Sequence, residues 1–232
     1  MKIAIHQPEF IPWLAFFDKM KQADRYVILD HVQFKKCYFE NRNRIKFENK
    51  AIWLTVPVKS KHKYYQSISD VQIDNSSNWQ RKMLQKFLHC YGRSKYYNEI
   101  INELEPLVIS RKYERLIDLN ITFINWFRKI FEIKTPIDFS SNMEVQQYNG
   151  SDLILETCIR LGANHYICGA SGKNYLRLND FQSSGIEIIW SEFNHPQYPQ
   201  LGENFIGHLS SLDYVFNHGV KNSSNTFGTI RN

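Results

Sequence analysis

The opening thirty residues constrain the fold more than any other stretch. Ile3 to His6 is a short apolar run, and a loop holding Pro8 and Pro12 follows it. Trp13, Phe17 and Met20 then recur at helical spacing, with Pro12 placed where a first helical turn tolerates a missing N–H. Tyr26-Val27-Ile28-Leu29 is a second continuous apolar run, and it ends in Asp30. A strand covered on both faces needs such a run, because neither row of side chains meets water. Strand, loop, helix and buried strand in this order make a βαβ unit.

The rest of the chain extends that pattern. Residues 33–50 are polar and basic and read as a loop, and Ala51 to Val58 reads as a strand. Ser77-x-x-Gln80 reads as a capping box opening a helix through Cys90, with Trp79, Met83 and Phe87 on one face. A longer helix is expected over about 111–132, striped by Leu116, Leu119, Phe123, Phe127 and Ile130. A short strand Ile137–Phe139 and a helix Asp152–Leu161, stopped by Gly162, come next. Strand His165–Cys168 enters the loop Gly169–Lys173, strand Ile186–Trp190 leads to the polar loop Ser191–Gln200, and a last helix covers about 209–217. Alternating strands and helices argue for an α/β fold, a mainly parallel sheet with helices on both faces. The expected organisation is one domain over 1–219 with a helical insertion at about 77–133, and a flexible tail over 220–232, where Asn, Ser, Thr and Gly dominate.

Composition narrows the partners. A net charge of +6 favours an anionic ligand such as a phosphorylated small molecule and falls short of what nucleic-acid binding would ask. Aromatics form 15% of the chain, enough to fill a core and still line a cleft for flat or ring-shaped ligands. The cysteines at 37, 90, 158 and 168 form no C-x-x-C pair and read as reduced thiols. No apolar run approaches the ~18–20 residues of a membrane span, and the N-terminus reads as a strand instead of a signal peptide. A cytoplasmic protein without membrane insertion is the expectation.

Several residues point to a site. In open α/β sheets ligands bind outside the carboxyl ends of the strands. His6, Gln7 and Pro8 end the first strand, Asp30 ends the second, Ser140-Ser141 follow Phe139, and Gly169 follows Cys168. Taken alone, His6 reads more readily as a hydrogen-bonded structural histidine, and its place at a strand end brings the functional reading level with that one. Asn41-Arg42-Asn43-Arg44 could grip phosphate or carboxylate oxygens through guanidinium forks, or could be a solvated basic loop. Gly169-Ala170-Ser171-Gly172-Lys173 lacks the spacing of a Walker A loop, yet offers N–H groups, a hydroxyl and an ammonium to an anion. The histidines at 31, 62, 89, 165, 195, 208 and 218 show no metal-ligand spacing, so no metal is expected, and Cys37 has no Cys–His signature around it.

These motifs carry a resemblance. His6-Gln7-Pro8-x-Phe10-x-Pro12-Trp13-Leu14-x-Phe16-Phe17-Asp18-Lys19, Asp30-x-Val32-Gln33-Phe34, Asn41-Arg42-Asn43 and Leu54-Thr55-Val56-Pro57-Val58 resemble the WbqC-like family. So do Tyr166-x-Cys168-Gly169-x-Ser171-Gly172-x-x-Tyr175-Leu176, His195-Pro196-x-Tyr198-x-Gln200 and Ser210-Ser211-Leu212-Asp213. The chain departs from the family pattern at Ala15, where Gly is usual, and at His31, where a second Asp is usual. Asp30 thus lacks a carboxylate neighbour. The resemblance implies a role in bacterial O-antigen or other surface-polysaccharide biosynthesis, acting on a nucleotide-linked sugar. A fainter resemblance to the adenylate-forming pantothenate synthetases rests on Val32-Gln33-Phe34 and Ser171-Gly172-Lys173-Asn174-Tyr175-Leu176. It implies ATP as a cosubstrate and a Rossmann-like, adenylyltransferase-like nucleotide-binding architecture. That family's H-x-G-H signature is replaced here by His6-Gln7-Pro8-Glu9.

The expected activity is acyl or aminoacyl transfer, or ATP-dependent amide formation, on the amine of a nucleotide-linked sugar. His6, Asp30 and Lys173 are the catalytic candidates. Gln7, Gln33, Asn41, Arg42, Asn43, Gly169, Ser171, Gly172, Tyr175, Tyr198 and Gln200 are the substrate-binding candidates. The competing reading is a non-catalytic module that binds an anionic ligand or a partner in polysaccharide assembly. Self-association into a homo-oligomer is compatible with either.

Overall fold

A computed structural model describes residues 1–61 and 63–224. The chain begins β1 (Lys2–His6), α1 (Leu14–Gln22), β2 (Arg25–Ile28), then a hairpin of β3 (Arg42–Phe47) and β4 (Lys50–Thr55). Three helices follow, α2 (Trp79–Tyr91), α3 (Tyr97–Ile109) and α4 (Leu116–Ile130). The last part is β5 (Ile137–Phe139), α5 (Gly150–Arg160), β6 (His165–Cys168), α6 (Leu178–Ser183), β7 (Glu187–Trp190), α7 (Ser211–His218) and α8 (Val220–Ser223).

Five of the strands form one sheet in the order β5-β2-β1-β6-β7, and every pairing in it is parallel. Numbered by sequence within that sheet, the order is 3-2-1-4-5. The chain therefore winds outward from β1 in one direction and, after β5, restarts on the other side of β1. The reversal falls between β1 and β6, where a crevice opens at the carboxyl ends of the strands.

Strand periodicity explains the layers. Ala4, Tyr26, Ile28 and Ile167 point to one side and pack with Phe17, Met20, Phe123 and Phe127 from α1 and α4. Ile3, Ile5, Val27, Leu29, Tyr166 and Cys168 point to the other, against Leu153, Ile154 and Cys158 of α5 and Phe181 of α6. Because side chains alternate along a strand, only a sequence apolar at successive positions can supply both layers. The expected α/β architecture is observed.

Some local expectations differ from the structure. The polar stretch 33–50 contains β3, paired antiparallel to β4 from Arg42 opposite Thr55 to Phe47 opposite Lys50. Asn43 and Ile45 point inward while Arg42 and Arg44 stay partly exposed, an alternation hidden by the basic side chains. The Ser77-x-x-Gln80 capping box does not form: Asn78 is the N-cap residue, without a side-chain cap bond, and Gln80 Nε2 donates instead to the Val108 and Arg111 carbonyls. Helices α3 and α6 were not anticipated. Val220–Ser223 is helical, not part of a loose tail: Gly219 takes φ +76° to end α7, and Ser223 Oγ donates back to its carbonyl at 2.7 Å. The remainder of the expected tail, 225–232, and His62 lie outside the described residues.

Candidate functional site

A cleft of about 670 Å³ opens at the reversal point of the sheet. Its floor is the end of β1 and the start of the next loop, contributing Ile5, His6, Gln7 and Glu9. Cys168, Gly169, Ser171, Asn174 and Tyr175 form one wall, from the end of β6 and its 3-10 turn Ala170–Asn174. Lys35, Tyr38, Phe39 and Glu40, from the loop between β2 and β3, form the opposite wall. Lys19 rises into it from α1.

His6 is the best-defined group. Its Nδ1 lies 3.0 Å from the Gln7 carbonyl oxygen. A carbonyl only accepts, so Nδ1 carries the hydrogen of the neutral ring and Nε2 keeps its lone pair. The imidazole stands edge-on to Phe16 and leaves 33% of its side chain open to the cleft. It nevertheless sits deep in the molecule, and desolvation, with the neighbouring Lys19 charge second, pulls its pKa down to about 3. At neutral pH the ring is therefore an uncharged base.

Three ionisable residues share the cleft with it. Glu9 is 8% exposed, and desolvation raises its carboxyl pKa to about 8, opposed by Lys19 and helped by Glu40. Lys19 Nζ donates to the Ile5 carbonyl at 3.1 Å, and burial lowers its pKa to about 8. Glu40 is buried and its pKa raised by desolvation. The backbone amides of Lys35 and Glu40 lower it slightly, but neither Glu40 carboxylate oxygen reaches hydrogen-bonding geometry. Sequence reading did not single out Glu9, Lys19 or Glu40. The available signal was a charged residue inside an apolar pattern: Glu9 between Pro8 and Phe10, and Lys19 three residues after Phe16 and next to Met20.

The cleft gathers five of the expected site residues, His6, Gln7, Gly169, Ser171 and Tyr175. Gly172 lies buried beneath its wall, where a Cβ would come within 2.1 Å of Cys168 Sγ, so the turn requires glycine for close approach. Lys173 places its ammonium 5.4 Å from the centre of the Trp190 ring. The others lie elsewhere. Asp30 is buried and spends its carboxylate on Ser140 Oγ (3.0 Å), the Ser141 amide (2.9 Å) and Ser141 Oγ (2.7 Å), tying β2 to the turn after β5. Gln33 Nε2 donates to the Tyr64 carbonyl. Asn41 donates to Val56, and Asn43 to both Phe10 and Ile11 carbonyls, fastening the hairpin beside the N-terminal loop. The Arg42 guanidinium stacks 4.0 Å over Trp53. Tyr198 Oη and Gln200 Nε2 both donate to the buried Asp213, which also accepts from Tyr91 Oη. Among the described residues no group of three His, Cys, Asp or Glu side chains could hold a metal ion.

A family model described as the WbqC-like protein family matches residues 7–225, from the cleft floor past α8. The chain belongs to the WbqC-like family. This family is linked to polysaccharide-related genes. A WbqC-like relative by sequence is a protein of Mycobacterium tuberculosis strain H37Rv, named uncharacterized protein Rv1507c, 28% identical over 221 residues and covering 95% of each chain. No solved structure matches the chain. In this WbqC-like protein no helix among the described residues is long and apolar enough to cross a membrane.

Proposed function

We propose that this WbqC-like protein is an enzyme of bacterial surface-polysaccharide biosynthesis that transfers an acyl or aminoacyl group to the amine of a nucleotide-linked sugar. The observation that carries the proposal is His6: a neutral imidazole at the switch point of the sheet, with its Nε2 lone pair free and open to the cleft. Attack by a sugar amine on an activated acyl carbon forms a C–N bond, and the bond to the leaving group breaks with its electron pair. The nitrogen must shed a proton in this step, and His6 Nε2 is the base placed to take it, its basicity raised as negative charge develops on the acyl oxygen and the leaving group beside it. Lys35 and Lys19 bring positive charge to the cleft for phosphate oxygens, and Tyr38, Phe39 and Tyr175 offer aromatic faces to a base or sugar ring. The acyl donor is either preformed, as a thioester, or made in the cleft from a carboxylate and ATP.

The experiment pairs binding with turnover. Wild type and His6→Asn are compared for affinity to UDP-glucosamine by calorimetry and for N-acylated product by mass spectrometry, with thioester donors and with carboxylate plus ATP. His6→Asn, whose amide oxygen can still accept from the amine, is expected to stay within about tenfold of wild-type affinity, the worth of one such hydrogen bond, and to lose roughly 10²–10⁴-fold in turnover, the usual contribution of a positioned proton-transfer group. Unchanged turnover in a folded variant removes His6 from the chemistry. Tight binding with no product under either donor class favours a binding module instead.

A further inference from the structure

We propose that His6 and Glu9 together form a subsite for a primary amine, and that this pair distinguishes a free amine from an acylated one. The proposal deepens the reading of the cleft as a nucleotide amino-sugar site and rests on that reading for the remainder of the ligand. His6 Nε2 and Glu9 Oε1 stand 3.9 Å apart. The gap is too wide for a direct hydrogen bond and narrow enough for one nitrogen to donate to both atoms at ordinary lengths. Nε2 is free because Nδ1 already serves the Gln7 carbonyl. Glu9 keeps 11% of its side chain accessible at the cleft, while its other oxygen, Oε2, is buried without a hydrogen-bond partner. A buried carboxyl held without partners is costly unless a ligand supplies donors. A primary amine or ammonium carries at least two N–H groups and can serve both acceptors. An amide nitrogen carries one and cannot.

The charges around Glu9 give this subsite a proton signature. His6 faces it from β1, Lys19 from α1, Tyr26 from β2 and Glu40 from the loop before β3, while Cys168 of β6 faces Lys19. Burial, with Glu40, holds Glu9 toward its protonated form, and Lys19 opposes them. An arriving ammonium adds to the Lys19 charge and favours the carboxylate. Binding at neutral pH is therefore coupled to loss of the Glu9 proton, and affinity rises with pH toward about 8.

Calorimetry with UDP-glucosamine and UDP-N-acetylglucosamine tests this in the full-length protein. Wild type should prefer the free amine by about tenfold or more, the worth of one charge-assisted hydrogen bond. It should also release protons to the buffer on binding the amine and not on binding the acetamide. Glu9→Gln should bring the preference close to one. Equal wild-type affinities, or a preference that survives in Glu9→Gln, would overturn the subsite. The wild-type comparison stands even if the variant fails to fold. If neither nucleotide sugar binds, the nucleotide-sugar reading falls, and the subsite is read separately from the His6 Nε2 resonance in nitrogen-15 NMR. Glucosamine or glycinamide should shift it and N-acetylglucosamine should not, the two amines distinguishing a sugar source from an aminoacyl one. No shift with either amine would overturn the subsite.

Discussion

At the residue scale, His6 combines accessibility with deep placement. A histidine on the surface would titrate near 6.5, whereas here burial and Lys19 hold the ring neutral down to about 3. That depression has a thermodynamic consequence. Below the unfolded value the unfolded chain takes up a proton that the folded ring refuses, so stability falls as pH drops from 6.5 toward about 3. Glu9, raised to about 8, works in the opposite direction between its unfolded value and 8. A comparison of variants separates the two. As pH falls from about 6.5 to about 4, the melting temperature of wild type is expected to drop more steeply than that of His6→Asn. Parallel curves would mean that the imbalance at His6 is small. His6 itself was visible in the sequence, because a histidine ending an apolar run sits at a strand terminus. Its tautomer was not, since that depends on the Gln7 carbonyl and on how the backbone turns at Pro8. Glu9, Lys19 and Glu40 were missed because a lone charge is ordinarily solvated, and only the packing of α1 and the β2–β3 loop buries these three.

At the element scale, several polar residues in the distinctive motifs hold elements together. Asp213 on α7 accepts from Tyr91 on α2, at 2.9 Å, and from Tyr198 and Gln200 in the loop after β7, at 2.9 and 2.8 Å. Asp213 is fully buried, and this clasp fixes a helix, a loop and the helical layer to one another. Asp213→Ala leaves three donors without an acceptor and is expected to cost about 3–5 kcal/mol, in the range for breaking a buried charged network. Tyr198→Phe removes one donor and should cost about 1–2 kcal/mol, with affinity for a cleft ligand unchanged. Urea denaturation and calorimetry on the same preparations check both, and a loss of affinity at full stability in Tyr198→Phe would place Tyr198 against the ligand. The loop after β7 supplied Tyr198 and Gln200 as binding candidates through the segment His195-Pro196-x-Tyr198-x-Gln200 that resembles the family pattern. What the sequence could not display is that their partner, Asp213, sits on a helix thirteen residues beyond Gln200. The βαβ start and α5, β6 and α7 were legible from apolar runs and stops. Strand β3 was not, because its buried residues are Asn43, Ile45 and Lys46, and two of those three read as surface.

At the scale of the whole molecule, the candidate site depends on strand order. The carboxyl edge of a parallel sheet is a row of loop starts, and only where the winding reverses do neighbouring loops part to leave a crevice. In this chain that place is between β1 and β6, which pair although more than 150 residues separate them, Lys2 opposite His165. Local sequence reading anticipates strands and their edge but not which two become neighbours across the reversal. That order is why His6 meets Ser171 and Tyr175 in one cleft while Asp30, one strand over, is closed off by Ser140 and Ser141. A second, shallower groove of about 470 Å³ lies on the edge strand β7, among Leu178, Gln182, Ile186 and Trp190, and provides the natural control. The most direct test is an amide and histidine chemical-shift map of the full chain titrated with UDP-glucosamine. The expected result is that shifts concentrate on His6, Gln7, Glu9 and Gly169–Tyr175, with the β7 groove silent. Shifts confined to the β7 groove or to the loop 191–208, with His6 unmoved, would contradict the assignment of the cleft as the functional site.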